Sequence, residues 1–402
     1  MKKRSSKVLK IRCLTYFIFI LLCSIFLFPF STQRAVAEGE SKDEAQEQLE
    51  ETIREQLEYL DLDKLQEYVN SLSGNVGKDL KERLLEYIQG VDFDYGALGK
   101  DLMLLLFAKV GEMLPAFACI MAIALLSGLL NALRSGTTNT SSGEISFLIL
   151  YFGALIPLLS VVTTSLSRTW LGINEMSKQM QLIFPLMLTL MSVSGGVVSA
   201  AVCRPAVAFF STLIVSILHE VVFPFTIVII AFSIATNFTK ELKIDRFATF
   251  FKGINKWIIG ISVSVFGLFF TLQGVTAATY DGVMRRAAKY AIGNGVPIIG
   301  GFLSGGFDLV VAGSILVKNA LGSFAVFLML AVIFEPLVLL ISVNILLRLT
   351  AAVTQSLGDG RISKIMGDTA DNLHYCTACL LLTAFLYFLC LMLMIFCTEA
   401  LF

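Results

Sequence analysis

Residues 273–335 read QGVTAATYDGVMRRAAKYAIGNGVPIIGGFLSGGFDLVVAGSILVKNALGSFAVFLMLAVIFE, and their reading decides the fold. A short amphipathic piece comes first, with Asp281, Arg285 and Lys289 at i, i+4 and i+8 on one face. A glycine-rich apolar piece containing Asp308 follows, and a long apolar piece ends at Glu335 beside Pro336. Apolar runs of this length seldom carry carboxylates, and those that do turn them toward protein or water rather than lipid. The expected architecture is therefore all-α: a polytopic helical membrane protein.

Composition agrees with this reading. The 402 residues are 56% hydrophobic and 15% charged, with mean hydropathy +0.78, far from the soluble average of about 25% charged. The net charge of zero hides a sorted distribution. Between residues 38 and 100 there are 17 acidic and 7 basic side chains, so the remainder is basic. Positive charge is dispersed among short loops and forms no nucleic-acid patch. The eight cysteines build no disulfide framework, because none lies in the acidic segment.

In chain order, residues 1–37 have the layout of an export signal. Lys2, Lys3, Arg4, Lys7, Lys10 and Arg12 precede an apolar run, and Ala35 and Ala37 supply the small residues of a cleavage site. An uncleaved anchor is the alternative, and either reading places the following residues outside the cytoplasm. In residues 38–100, Leu49, Ile53, Leu57 and Leu60, then Leu65, Val69 and Leu72, then Leu80, Leu84 and Ile88 recur at helical spacing. Two or three short amphipathic helices are expected there. Their apolar stripe either docks another extracytoplasmic protein, or folds onto its own chain or the membrane surface.

The multi-span, permease-like part is residues 101–402. Apolar segments at 102–131, 145–167, 182–203, 206–236, 257–280, 291–317, 319–350 and 375–398 suggest seven or eight spans. A weak repeat runs through them, with a period near 110 residues. Glu112 with Pro115, Glu220 with Pro224 and Glu335 with Pro336 each precede about 15 apolar residues. Pro185 leads to Ser194-Gly195-Gly196 as Pro297 leads to Ser304-Gly305-Gly306. Three spans per unit would make consecutive units inverted. Loop charge does not fix the orientation, and the glycine-rich segments are either full crossings or re-entrant.

Asp308, Glu335, Glu220 and His219 are the candidate intramembrane polar path, since an ionisable group in lipid is costly unless paired or wetted. The competing reading is interhelical hydrogen bonding. Asp308 has no counterpart in the first unit, where Val198 stands at the matching offset. Gly195, Gly196, Gly300, Gly301, Gly305 and Gly306 permit close helix packing or a broken helix with exposed carbonyls. Lys109 and Glu112 are spaced to pair on one helix face. The sequence HYCTAC places His374, Cys376 and Cys379 together, but there is no second cysteine pair to complete a metal site. With no phosphate loop, H-E-x-x-H or G-x-S-x-G motif, neither an enzyme nor a cofactor is expected.

Gln273-Gly274, Asp281, Arg285, Lys289, Pro297, Gly300-Gly301, the string LSGGFDLV and Lys318 together resemble the stage III sporulation protein AE family of endospore-forming bacteria. The resemblance extends to the layout of nearly the whole chain. It implies a component of the mother-cell membrane around the forespore, assembled with other proteins of its operon. These include a secretion-type ATPase, ring-forming subunits and a partner in the forespore membrane, in a channel complex that supports forespore development. The family has no assigned catalytic residues. A self-contained ion-coupled transporter, or a redox enzyme using Cys376 and Cys379, are the readings of other classes.

Overall fold

The computed structural model describes residues 42–73, 80–89, 95–134, 140–209, 212–213, 215–238, 245–295, 300–357 and 360–399. Ala35, Ala37 and Pro297 lie outside the described residues. Among the described residues every regular element is a helix. They are α1 (Lys42–Tyr59), α2 (Asp63–Ser73), α3 (Leu80–Gln89), α4 (Tyr95–Arg134), α5 (Thr140–Val193) and α6 (Val197–Phe209). Next, α7 (Val215–Ile217) passes through a π-turn (Leu218–Val222) into α8 (Phe223–Phe238), followed by α9 (Asp245–Gly295), α10 (Gly300–Leu357) and α11 (Gly360–Glu399).

Among the described residues five stretches are long and apolar enough to cross a membrane: Phe107–Leu129, Leu148–Val193, Val215–Thr236, Asp308–Ser356 and Gly360–Phe396. The fold is thus the expected all-α polytopic one, but segments expected as separate crossings share helices. Residues 145–167 and the first part of 182–203 both lie on the 54-residue α5. The end of 291–317 and all of 319–350 lie on the 58-residue α10. Hydropathy dips between these segments where Arg168, Glu175, Lys178 and Lys318 stand. A helix is not ended by charge, however; it is ended by residues that leave αR.

Contacts across the bundle give the direction of each helix. Gly153 lies against Ile123, and Glu335 reaches both Lys109 and Arg168, so α4 and α5 are antiparallel. Gln179 donates to the Leu328 carbonyl while Gly172 meets Pro336, so α10 is antiparallel to α5. Trp170 packs on His219 while the Tyr151 hydroxyl donates to the Ile234 carbonyl, so α8 too is antiparallel to α5. α9 returns along α8, with Asn255 bonded to Val222 and Thr226. α11 returns along α10, from Ser363 against Ala351 to Ile395 against Gly322.

The described residues therefore form three hairpins, α4/α5, α8/α9 and α10/α11. In each, the descending limb begins at a glutamate followed by a proline: Glu112 and Pro115, Glu220 and Pro224, Glu335 and Pro336. The repeat read from the sequence is this hairpin. The three descending limbs run in one direction, so consecutive units are parallel, which corrects the expected inversion. The inversion presumed that each glycine-rich segment made a crossing of its own. In fact the limb of the first unit continues up α5, and that of the second continues down α10.

Helices α1–α3 share the same hydrophobic core as the hairpins. Ile53, Leu57, Leu65, Val69, Leu80 and Leu84 are buried, so the amphipathic stripe is covered by the body of the protein. Gln56 donates to the Val310 carbonyl, and Thr52 and Gln56 lie beside Gly313 of α10. On α5, the Glu175 carbonyl accepts from the Tyr68 hydroxyl at 3.4 Å, and burial pushes that hydroxyl's pKa up.

Candidate functional site

Charges placed within apolar helices become informative when they meet. Lys109 lies one turn before Glu112 on α4, and its Nζ is 3.1 Å from Glu112 Oε2 and 3.4 Å from Glu335 Oε1 on α10. Arg168 Nη1 on α5 reaches the same Glu335 oxygen at 3.5 Å. Glu335 thus joins three helices, with two cations on one carboxylate. Pro336 follows it; having no N–H, it leaves the Val332 carbonyl without its helical donor at this level. The ring of Pro336 and Leu380 press on Gly172, at 3.0 and 3.3 Å from where a Cβ would stand, so α5, α10 and α11 converge here. Glu335 and Arg168 are half-exposed, at 45% and 51%, so each contact in water would contribute no more than about 1 kcal/mol.

His219 and Glu220 reach the same level from α8. The imidazole of His219 lies 3.2 Å, centroid to centroid, from the indole of Trp170, two residues beyond Arg168. Its Nε2 is buried with no hydrogen-bond partner among the described residues. Glu220 is exposed. The glutamates of all three hairpins therefore lie in one belt. Asp308 does not. It precedes Glu335 by 27 residues of unbroken helix, about 40 Å at 1.5 Å per residue. It lies near the α1–α3 contacts instead, so the four candidates of the polar path form no single cluster.

A second polar cluster joins α10 to α11. Arg348 donates from Nη2 to Asp371 Oδ1 at 2.8 Å, from Nε to Asn344 Oδ1 at 2.8 Å, and from Nη2 toward His374 Nε2 at 3.1 Å. Arginine only donates, so this contact needs His374 to accept through Nε2. Asn344 completes the group by donating to the Ala370 carbonyl. Cys376 and Cys379 are fully buried, free thiols on the same helix, turned into the core. No group of metal-ligating side chains occurs among the described residues. Higher on α10, Lys318 is buried and donates to the Ile395 carbonyl at 2.7 Å, tying it to the last turns of α11.

The two glycine pairs differ. Gly195 has φ 89°, the Gly196 N–H donates to the Met191 carbonyl and the Gly195 N–H to the Ser192 carbonyl. This is the Schellman pattern that ends a helix, and the Gly196 carbonyl then accepts from Ala200 to start α6. Gly300, Gly301, Gly305 and Gly306 instead stand in the first turns of continuous α10. Their neighbour Gly322 serves packing, since a Cβ there would lie 2.6 Å from Ile395 Cδ1.

Sequence reasoning found Lys109, Glu112, Glu220 and Glu335, but missed Arg168, Arg348 and Asp371 as members of clusters. Arg168 carried one usable signal: it is the first charge after a run from 145 to 167 that has none.

A family model described as Stage III sporulation protein AE matches residues 79–398. The chain is also similar to Stage III sporulation protein AE of Bacillus subtilis (strain 168), with 24% identity over 382 residues covering 93% of this chain and 96% of that protein. No solved structure matches it. The match takes in all three hairpins and their belt of glutamates, and the chain, a sporulation-related membrane protein, belongs to the stage III sporulation protein AE family.

Proposed function

We propose that this protein is a non-enzymatic membrane core of a channel or secretion-like complex between mother cell and forespore, needed for forespore development and residing in the mother-cell membrane around the forespore. A secretion-type ATPase, ring-forming subunits and a forespore membrane partner are the other components on this reading. The observation that carries it is the two-faced character of α1 and α2. Their apolar face is committed to the body, while Glu50, Glu51, Glu55, Glu58, Asp61 and Glu67 are exposed on the outer face. Such a surface binds partners through charge and does not insert into lipid. The lack of a nucleotide-binding motif leaves energy supply to a partner.

The transporter reading has less support. Asp308 and Glu335 are about 40 Å apart along one helix, and Glu335 is already held by Lys109 and Arg168.

Deleting α1–α3 would be a poor test, because it would uncover apolar α10. Reversing charge at Glu50, Glu51, Glu55 and Glu58 to lysine leaves the buried stripe intact. Partner proteins should then no longer copurify with the tagged protein from sporulating cells, while membrane insertion is unchanged. Retention of every partner by the reversed variant would rule out docking through this face.

A further inference from the structure

We infer that the bilayer encloses only one half of the long helices, the three hairpins on the proline side of the glutamate belt. The other half, though apolar enough to look like further spans, stands outside the membrane with α1–α3 against it. The occupant of the hairpins' outer surface is thus lipid, with the belt at the extracytoplasmic headgroups.

Length is the first reason. Helices α5 and α10, at 54 and 58 residues, are about 80 Å and 87 Å long at 1.5 Å per residue, against a hydrocarbon core of about 30 Å. Tilt cannot absorb that excess. Below the belt, α10 from Pro336 to its end at Leu357 is 22 residues, about 33 Å. The descending part of α4, which ends at Arg134, matches it.

Charge selects the half on α4, α5 and α8. Residues 113–133, 145–167 and 221–239 contain no Asp, Glu, Lys or Arg. Leu114, Leu129, Ile149, Ile156 and Ile227 are exposed on these hairpins, which suits lipid. The cluster of Arg348, Asp371 and His374 on the third hairpin is neutralised pairwise, as an intramembrane ion must be. Above the belt α5 carries Glu175 and Lys178, α6 Arg204, α9 Arg285 and Lys289, and α10 Lys318, whereas α11 has no Asp, Glu, Lys or Arg from residue 372 to 398 and the lower limb of α9 carries Lys252. Three helices of a charged, water-soluble type lie along that half.

The boundaries are marked as well. The chain has two tryptophans, and both lie at the belt. Trp170 packs on His219, and Trp257, 73% exposed, stands two residues from Asn255, which bonds to Val222. Indoles concentrate at membrane interfaces in this way. At the opposite ends of the hairpins stand Arg134, Arg246, Arg361 and Lys364. Cations at these ends face anionic headgroups, which suits the cytoplasmic side. The belt and α1–α3 are then extracytoplasmic, the side on which residues 38–100 would stand if residues 1–37 act as an export signal.

The test is labelling of single cysteines in an otherwise cysteine-free chain, produced in non-sporulating cells so that it stands in the cell membrane, with a membrane-impermeant maleimide applied outside protoplasts. Leu316→Cys and Val202→Cys, both at exposed positions above the belt, should label without detergent. Leu125→Cys and Ile156→Cys should label only after solubilisation. If the upper pair is as refractory as the lower pair, or if the lower pair labels from outside, the assignment is overturned. Should the cysteine-free chain not fold, the unmodified protein serves. Its tryptophan fluorescence in vesicles should be quenched more by lipids labelled near the headgroup than by lipids labelled deep in the acyl chain. Stronger quenching by the deep label would equally overturn the placement.

Discussion

The tripeptides Ser194-Gly195-Gly196 and Ser304-Gly305-Gly306 are identical, follow a proline at a similar distance and precede a glutamate at the belt, yet their backbones differ. In the first, Gly195 takes a left-handed φ of 89° and the helix stops. In the second, the same residues continue α10 with nothing within 4 Å of a Cβ on Gly306. The first glycine pair is therefore a turn with a φ that side chains tolerate poorly, while Gly306 of the second gains nothing evident from lacking one. The limb leading down to the glutamate follows suit. In the first unit it is broken into α6, α7 and a π-turn, and in the second it is one helix. The repeated unit is thus conserved in space at its belt and hairpin, and free to vary above them.

Gly195→Val attacks the comparison most strongly. A β-branched residue at this φ costs about 2 kcal/mol or more, so thermal unfolding of the detergent-solubilised protein should shift clearly downward. An unshifted transition would show that the turn can be remade elsewhere. Glu335→Ala tests the belt at the head of the third hairpin. It leaves Arg168 without this partner and Lys109 with Glu112 alone, for a loss of about 1 kcal/mol, kept small because the carboxylate is half-exposed. The same change in a variant already lacking Lys109 and Arg168 should cost almost nothing; a full cost there would deny the ion pairing. Gly306→Ala is the mildest and has the opposite sign. Replacing an unhindered helical glycine should stabilise by about 0.5–1 kcal/mol. Destabilisation would mean that Gly306 is needed by a surface in contact with a partner.

Much of the fold was legible because periodicity and hydropathy are local. The stripe from Ile53 to Leu84 predicted short amphipathic helices, and the glutamate–proline spacing marked the head of each hairpin before any hairpin was known. The site was legible only in halves. Lys109 and Glu112 are neighbours in sequence, whereas Arg168 joins them through Glu335, 167 residues onward, and no spacing rule spans that distance. The burial of α1–α2 against Val310 and Gly313 was equally hidden, because an amphipathic helix states that a face will be covered and not by what.

By itself, then, the sequence determined a helical membrane protein, its amphipathic N-terminal region and the residues too polar to face lipid, since each follows from the transfer free energy of side chains taken a few turns at a time. Only the tertiary structure decided that two apolar segments form one helix, that the units run parallel and that the glutamates form a common belt. Those outcomes depend on whether one glycine leaves αR and on contacts between residues more than a hundred positions apart, neither of which hydropathy encodes.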